Sequence, residues 1–194
     1  MNIAIYIYDQ AEVLDFSGPF EVFSTACRVC RDDKPFDVFL VGETGRPVRA
    51  RAGYTVIPHF SFHDHPSIDV LIVVGGVHSD EMNKPQVIEW LARQAGSATL
   101  TASICTGAFL LAQAQIVTTQ PVTTHWEDID DLRRSFPNLE VVDGVRWVDA
   151  GNVVTSGGIS AGIDMSLHLV GRLHSPALAE RTARQMDFAW TRNP

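Results

Sequence analysis

Ile3-Ala4-Ile5-Tyr6-Ile7-Tyr8 is an unbroken β-prone apolar run with no polar alternation. A strand of that kind is covered on both faces, which is the situation inside a parallel sheet. The pattern returns at residues 36–41, 69–74 and 100–104. Between these runs the spacing changes to that of helices. Val87, Trp90, Leu91 and Ala95 fall on one face of a helix over residues 85–95. Further helices are predicted over 19–27, with Pro19 in the first turn, and over 108–114, 127–135 and 160–173. A last helix is capped by Ser175-Pro176. Residues 48–60 read as a short inserted hairpin, and 139–142, 146–148 and 152–155 as a run of strands separated by Asp143-Gly144 and Ala150-Gly151. Strands alternating with helices imply a doubly wound α/β sandwich, a mostly parallel sheet between helices. No repeat or linker divides residues 1–194, so one domain is expected.

Charge narrows the partners. Asp and Glu outnumber Lys and Arg by 23 to 15, a net charge of −8, and the sequence holds no basic cluster. Such a surface repels phosphate backbones and anionic membranes, so neither nucleic acid nor a membrane is expected as a direct partner. No stretch is long and apolar enough to span a bilayer, and Met1-Asn2-Ile3 lacks the basic flank of a signal peptide. A cytoplasmic enzyme or small-molecule binder is the expectation. Cys27-Arg-Val-Cys30 is a CxxC without a second ligand pair, and it reads as two ordinary helix cysteines with no metal. His59, His63 and His65, with Asp64 among them, read as a solvated loop. Trp90, Trp126, Trp147 and Trp190 read as packing residues.

Open parallel sheets bind ligands beyond the carboxyl ends of their strands. Three segments fall there: Asp15, Gly75-Gly76, and Ser103-Ile104-Cys105-Thr106-Gly107. A cysteine at a sharp strand-to-helix junction is the thiol counterpart of a serine nucleophile elbow. The helix N-terminus should lower its pKa, making Cys105 the most reactive thiol of the three. Gly75 and Gly76 would offer unhindered amides for an anion or oxyanion. The plainer alternative makes Cys105 a small core residue and the glycines simple turns. Asp15 could be an N-cap, but it lies too early to cap a helix starting near Pro19, which favours a site role.

Ser103-Ile104-Cys105-Thr106-Gly107-Ala108, Thr123-Thr124-His125-Trp126 and Thr155-Ser156-Gly157-Gly158-Ile159-Ser160-Ala161-Gly162-Ile163-Asp164 resemble the ThiJ/PfpI superfamily. Within it they are most similar to isonitrile hydratases and to the amidotransferase-like domains of AraC-type regulators. Leu14-Asp15-Phe16-Ser17-Gly18-Pro19 resembles the acidic loop of that subgroup. The resemblance implies a flavodoxin-like fold, commonly a homodimer. It makes Cys105 the nucleophile, Asp15 the acid that contacts the thiol and shuttles a proton, and Thr106 the residue following the nucleophile. His125, Gly76 and Gly157-Gly158-Ile159 would surround the pocket beside Gly75. Departures lie at Val74, where relatives often have proline, and at Ser156, where the hydratases tend to have glycine. Thr106 stands where related proteases carry histidine, and no late His-x-Glu dyad occurs, which disfavours a Cys-His-Glu triad. The reaction implied is cofactor-free hydration of an isonitrile to an N-substituted formamide through a Cys105 thioimidate. A redox or ligand sensor and glyoxalase or deglycase chemistry are the rivals. Regulator relatives carry a helix-turn-helix after this domain, for which a chain ending at Pro194 leaves no room.

Overall fold

The computed structural model describes residues 1–31 and 34–192. In chain order the elements are β1 (Asn2–Tyr6), α1 (Val13–Val29), β2 (Asp37–Val41), β3 (Val48–Arg49), β4 (Thr55–Val56), β5 (Val70–Val73), α2 (Ser79–Met82), α3 (Pro85–Ser97), β6 (Leu100–Ile104), α4 (Gly107–Gln113), β7 (Pro121–Val122), α5 (Ile129–Ser135), β8 (Glu140–Val141), β9 (Trp147–Asp149), β10 (Val153–Ser156), α6 (Ala161–Leu173) and α7 (Pro176–Gln185).

One six-stranded sheet runs β2-β1-β5-β6-β10-β9. Ile3 pairs in parallel with Val38 on one side and Val70 on the other, and Val154 with Ala102. Only the edge strand β9 is antiparallel, pairing with β10. The apolar runs supply the strands because helices cover both faces: Ile3, Ile5, Val70, Leu71, Ile72, Val73 and Ala102 are fully buried. α1, α6 and α7 pack together, as do α2, α3 and α4. From β1 the chain steps outward to β2, then returns and steps the other way through β5 and β6. Right-handed crossovers in opposite directions put these helix groups on opposite faces, and leave a crevice between β1 and β5.

Several local expectations change. Helix α1 starts at Val13, six residues earlier than the Pro19 signal suggested, so Asp15 sits in its first turn and Pro19 inside it. A proline here removes the bond that the Asp15 carbonyl would otherwise accept. The expected run of strands after residue 139 is split: β9 and β10 pair with each other, while β8 pairs in parallel with β7, a strand the sequence did not announce. The hairpin is the antiparallel β3–β4 pair, and Ser175 caps α7 by accepting the Leu178 amide hydrogen. Two of the loop histidines are structural. His59 Nδ1 accepts from the Leu40 amide at 3.0 Å and its ring stacks on Phe20; His65 Nε2 accepts from Trp90 Nε1 at 3.2 Å. Trp90 and Trp147 are core residues, whereas Trp126 is 74% exposed and packs no core.

Asp164, buried in α6, accepts from Arg146 Nε at 2.9 Å and from the Thr191 amide at 2.8 Å, while Trp190 Nε1 donates to its backbone carbonyl at 3.2 Å. Arg146 in turn accepts the Gly157 amide on its own carbonyl at 2.9 Å. Trp190 and Thr191 are thereby tied to the loop after β10. No described helix is long and apolar enough to cross a membrane.

Candidate active site

The carboxyl ends of β1, β5, β6 and β10 converge on Cys105. It follows β6 directly and takes φ 54°, a left-handed conformation that costs a non-glycine residue of order 1–2 kcal/mol. Cross-strand bonds hold that turn. The Cys105 amide donates to the carbonyls of Ser156 and Gly157 at 3.2 and 3.3 Å, and its carbonyl accepts the Thr124 hydroxyl at 2.9 Å. Gly107 is required where β6 gives way to α4, since a Cβ there would overlap the Val73 carbonyl.

Thr106 ties the turn to the end of β5. Its hydroxyl accepts the Gly76 amide hydrogen and donates to the Gly76 carbonyl, both at 2.9 Å. A Cβ on Gly75 would lie 2.6 Å from the Thr106 nitrogen and 2.7 Å from Cys105 Cβ. The glycine pair therefore lets two loops touch. The Gly75 amide points at Asp15 Oδ2, 3.0 Å away, rather than at open space. That amide holds the acid instead of forming the free oxyanion donor expected of it.

Asp15 is wholly buried. Burial pushes its carboxyl up to about 7; the Gly75 amide, the Cys105 thiol and the Ile159 amide partly offset this by favouring the carboxylate. Among the described residues its Oδ1 has no hydrogen-bond partner, an expensive state for a buried oxygen and an acceptor left for something entering the site. Ile159 also takes a left-handed φ of 54°, an outlier for a β-branched residue, and its side chain is 39% exposed.

The expectation of a lowered thiol pKa is overturned. Cys105 is only 7% exposed, and burial together with the Asp15 carboxylate pushes its thiol up to about 12, against a smaller opposing pull from the Thr106 amide. α4 is seven residues long, too short for its dipole to win over a buried anion. While Asp15 is ionised, the proton stays on sulfur.

Gly157 serves the Cys105 turn, and Gly158 lies against His125, whose ring a Cβ would overlap. His125 Nδ1 accepts the Glu127 amide at 3.3 Å and lies 3.5 Å from Asp128 Oδ2, so it is engaged by the turn leading to α5. Two cavities flank the site. One of about 200 Å³ is lined by Thr124, Trp126, Arg146, Gly157 and Gly158, the other of about 350 Å³ by His78, Met82, Phe109, Asp128 and Arg134. Val74 and Ser156, the two departures, are buried behind the site. Tyr8 escaped sequence reasoning: its buried hydroxyl donates to the Val74 carbonyl at 3.2 Å, close enough to Asp15 and Cys105 for their charges to act on it. Its place at the end of the first apolar run was the available signal. Among the described residues no group of histidine, cysteine and acidic side chains is arranged to hold a metal.

Fold and site together define a flavodoxin-like α/β protein with a buried thiol–carboxyl pair at the crest of its sheet. Residues 1–172 match the DJ-1/PfpI family, and the chain belongs to it. Over 190 residues, 97% of this chain, it is 32% identical to the isonitrile hydratase of Pseudomonas putida, of which it covers 79%. The HTH-type transcriptional regulator GbdR of Pseudomonas aeruginosa is 29% identical over 77% of this chain, which spans 40% of that regulator. The crystal structure of a ThiJ/PfpI family protein from Pseudomonas syringae superposes with a TM-score of 0.87 at 24% identity, covering 98% of this chain and 76% of that one.

Proposed function

We propose that the protein hydrates isonitriles to N-substituted formamides, with Cys105 as nucleophile and Asp15 as the single acid–base. The observation that carries this is the unpartnered Oδ1 of a wholly buried Asp15 beside the thiol, on a carboxyl raised to about 7. A group titrating there can take and return a proton near neutral pH. The hydratase relative supports the same reading.

The raised thiol pKa supports one order of events. Asp15 carboxylate takes the Cys105 proton as sulfur bonds to the terminal isonitrile carbon, then delivers that proton to the carbon. R–N≡C becomes a thioimidate, R–N=CH–S, and Asp15 is a carboxylate again. It next removes a proton from water adding to that carbon and passes that proton to the nitrogen. The C–S bond breaks, the added hydroxyl becomes the carbonyl of the departing formamide R–NH–CHO, and the hydroxyl proton returns to the sulfur. Thr106 and Gly76 keep the two strand ends at fixed distance throughout. One water is consumed and no cofactor takes part.

The test is turnover of a simple alkyl or aryl isonitrile, followed by formamide accumulation over many equivalents. Cys105→Ala should abolish it. Product stopping at one equivalent, with Cys105 modified, would make the protein a sensor; turnover of methylglyoxal with none of the isonitriles would make it a glyoxalase. Either result rejects the hydratase reading.

A further inference from the structure

At the end of α1 remote from Asp15, two cysteines lie three residues apart and one of them meets an imidazole. Cys27 lies in the last turn and Cys30 is the C-cap, both partly exposed. The Cys30 amide still donates to the Ala26 carbonyl at 2.9 Å and its φ is −73°, so its Cβ stays where the helix would place it. Residues three apart on a helix have Cα atoms about 5 Å apart on one face, inside the range of roughly 4.4–6.8 Å that a disulfide spans. Cys30 Sγ lies 3.9 Å from His174 Nε2, and His174 Nδ1 lies 3.1 Å from Ser175 Oγ. The CxxC spacing alone carried no chemistry because the imidazole comes from the end of α6, 144 residues away.

We propose that Cys27 and Cys30 are a second reactive site, a dithiol that hydroperoxides convert to a disulfide with His174 as the base for Cys30. His174 takes the Cys30 proton, and the thiolate attacks the outer peroxide oxygen. The O–O bond breaks, and the alkoxide or hydroxide leaves with the proton held by His174, giving Cys30 sulfenic acid. Cys27 sulfur then displaces water from it, losing its own proton to that water, and the S–S bond forms. One hydroperoxide is reduced and two thiols are oxidised. The order follows from the surroundings. Cys27 donates its S–H to the Phe36 carbonyl at 3.0 Å and burial pushes its thiol up, which suits the resolving role.

The experiment exposes the full chain to one equivalent of hydrogen peroxide at pH 7, then unfolds it in an alkylating agent and digests without reduction. Trypsin cuts after Arg28, between the two cysteines, so a bridge holds two peptides together. The bridged pair should appear, whatever the state of Cys105. Cys27→Ser should leave Cys30 as sulfenic or higher acid with no bridge. His174→Gln, at an exposed cap, should slow bridge formation at least about tenfold. Absence of the bridge, or an unchanged rate of its formation in His174→Gln, would each overturn the proposal. Isonitrile turnover does not enter the readout, so this result stands or falls apart from that of the hydratase assay.

Discussion

Asp15 and Cys105 share a site too small and dry for two negative charges. Asp15→Asn keeps the shape, and its carbonyl can still accept the Gly75 amide, but it removes both the base and the anion. Two measurements should therefore move in opposite directions. Turnover should fall by ~10²-fold or more, while alkylation of Cys105 near pH 8 should accelerate, because the charge that holds its thiol up is gone. If alkylation slows together with turnover, Asp15 does not repel the thiolate as described. In the parent protein kcat/KM should rise with pH through about 7 as Asp15 becomes the base that attack requires. Stability should run the other way. A carboxyl raised in the fold from 3.8 to about 7 binds its proton more tightly there than in the unfolded chain. Relative to Asn, Asp15 therefore costs nothing below about pH 4, progressively more up to pH 7, and at most ~4 kcal/mol above that. Denaturant melts of the two proteins at pH 4 and pH 8 check this: the gap should open only at the higher pH. Cys105 itself offers a further test. Its left-handed backbone suits glycine, so Cys105→Gly should be more stable than Cys105→Ala by ~1 kcal/mol. Equal melting of these two variants would show that the turn stores no strain.

At the scale of elements, tight contacts between strand ends decide the geometry. Gly107→Ala would drive a methyl into the Val73 carbonyl, backbone against backbone, with no flexible side chain to give way. A loss of about 1–3 kcal/mol is expected, read as a lower denaturant midpoint; an unchanged midpoint would mean that the junction of β6 and α4 can open. The same contacts explain what could be read from the sequence. The central strands β1, β5 and β6 were legible because each is covered on both faces and needs an unbroken apolar run, and Cys105 stood out because it follows such a run with Gly107 behind it. The start of α1 was not legible, because Pro19 marks the first turn of many helices and here lies inside one. That single misplacement put Asp15 in a loop where the structure has it in the helix, although its position near the strand ends survived. The two-residue strand β7 carries no period to detect, and nothing in residues 139–142 showed that β8 would pair with it rather than join β9 and β10. Nor could spacing show that burial and a carboxylate would outweigh the helix end at Cys105, since that balance depends on which chain segments close over the thiol.

For the whole molecule, the exposed apolar side chains of Val77, Trp126 and Ile159 each neighbour a site loop. The family resemblance makes a homodimer the expectation, and sedimentation at micromolar protein concentration should give a mass near twice that of one chain. A mass near one chain would leave those side chains to solvent or substrate. The acidic balance of the surface is a separate matter, bearing on partners rather than on assembly.

The bonds around Asp164 reach further than their position suggests. Thr191 holds one oxygen of that buried carboxylate and Arg146 the other; Arg146 holds Gly157, and Gly157 holds the amide of Cys105. The backbone at Thr191 is thus a latch on the reactive turn, four links away. A substitution that frees the Asp164 carboxylate from Arg146 and from the Thr191 amide would be felt at the sulfur. A variant with those bonds broken would report the kinetics of a loosened turn.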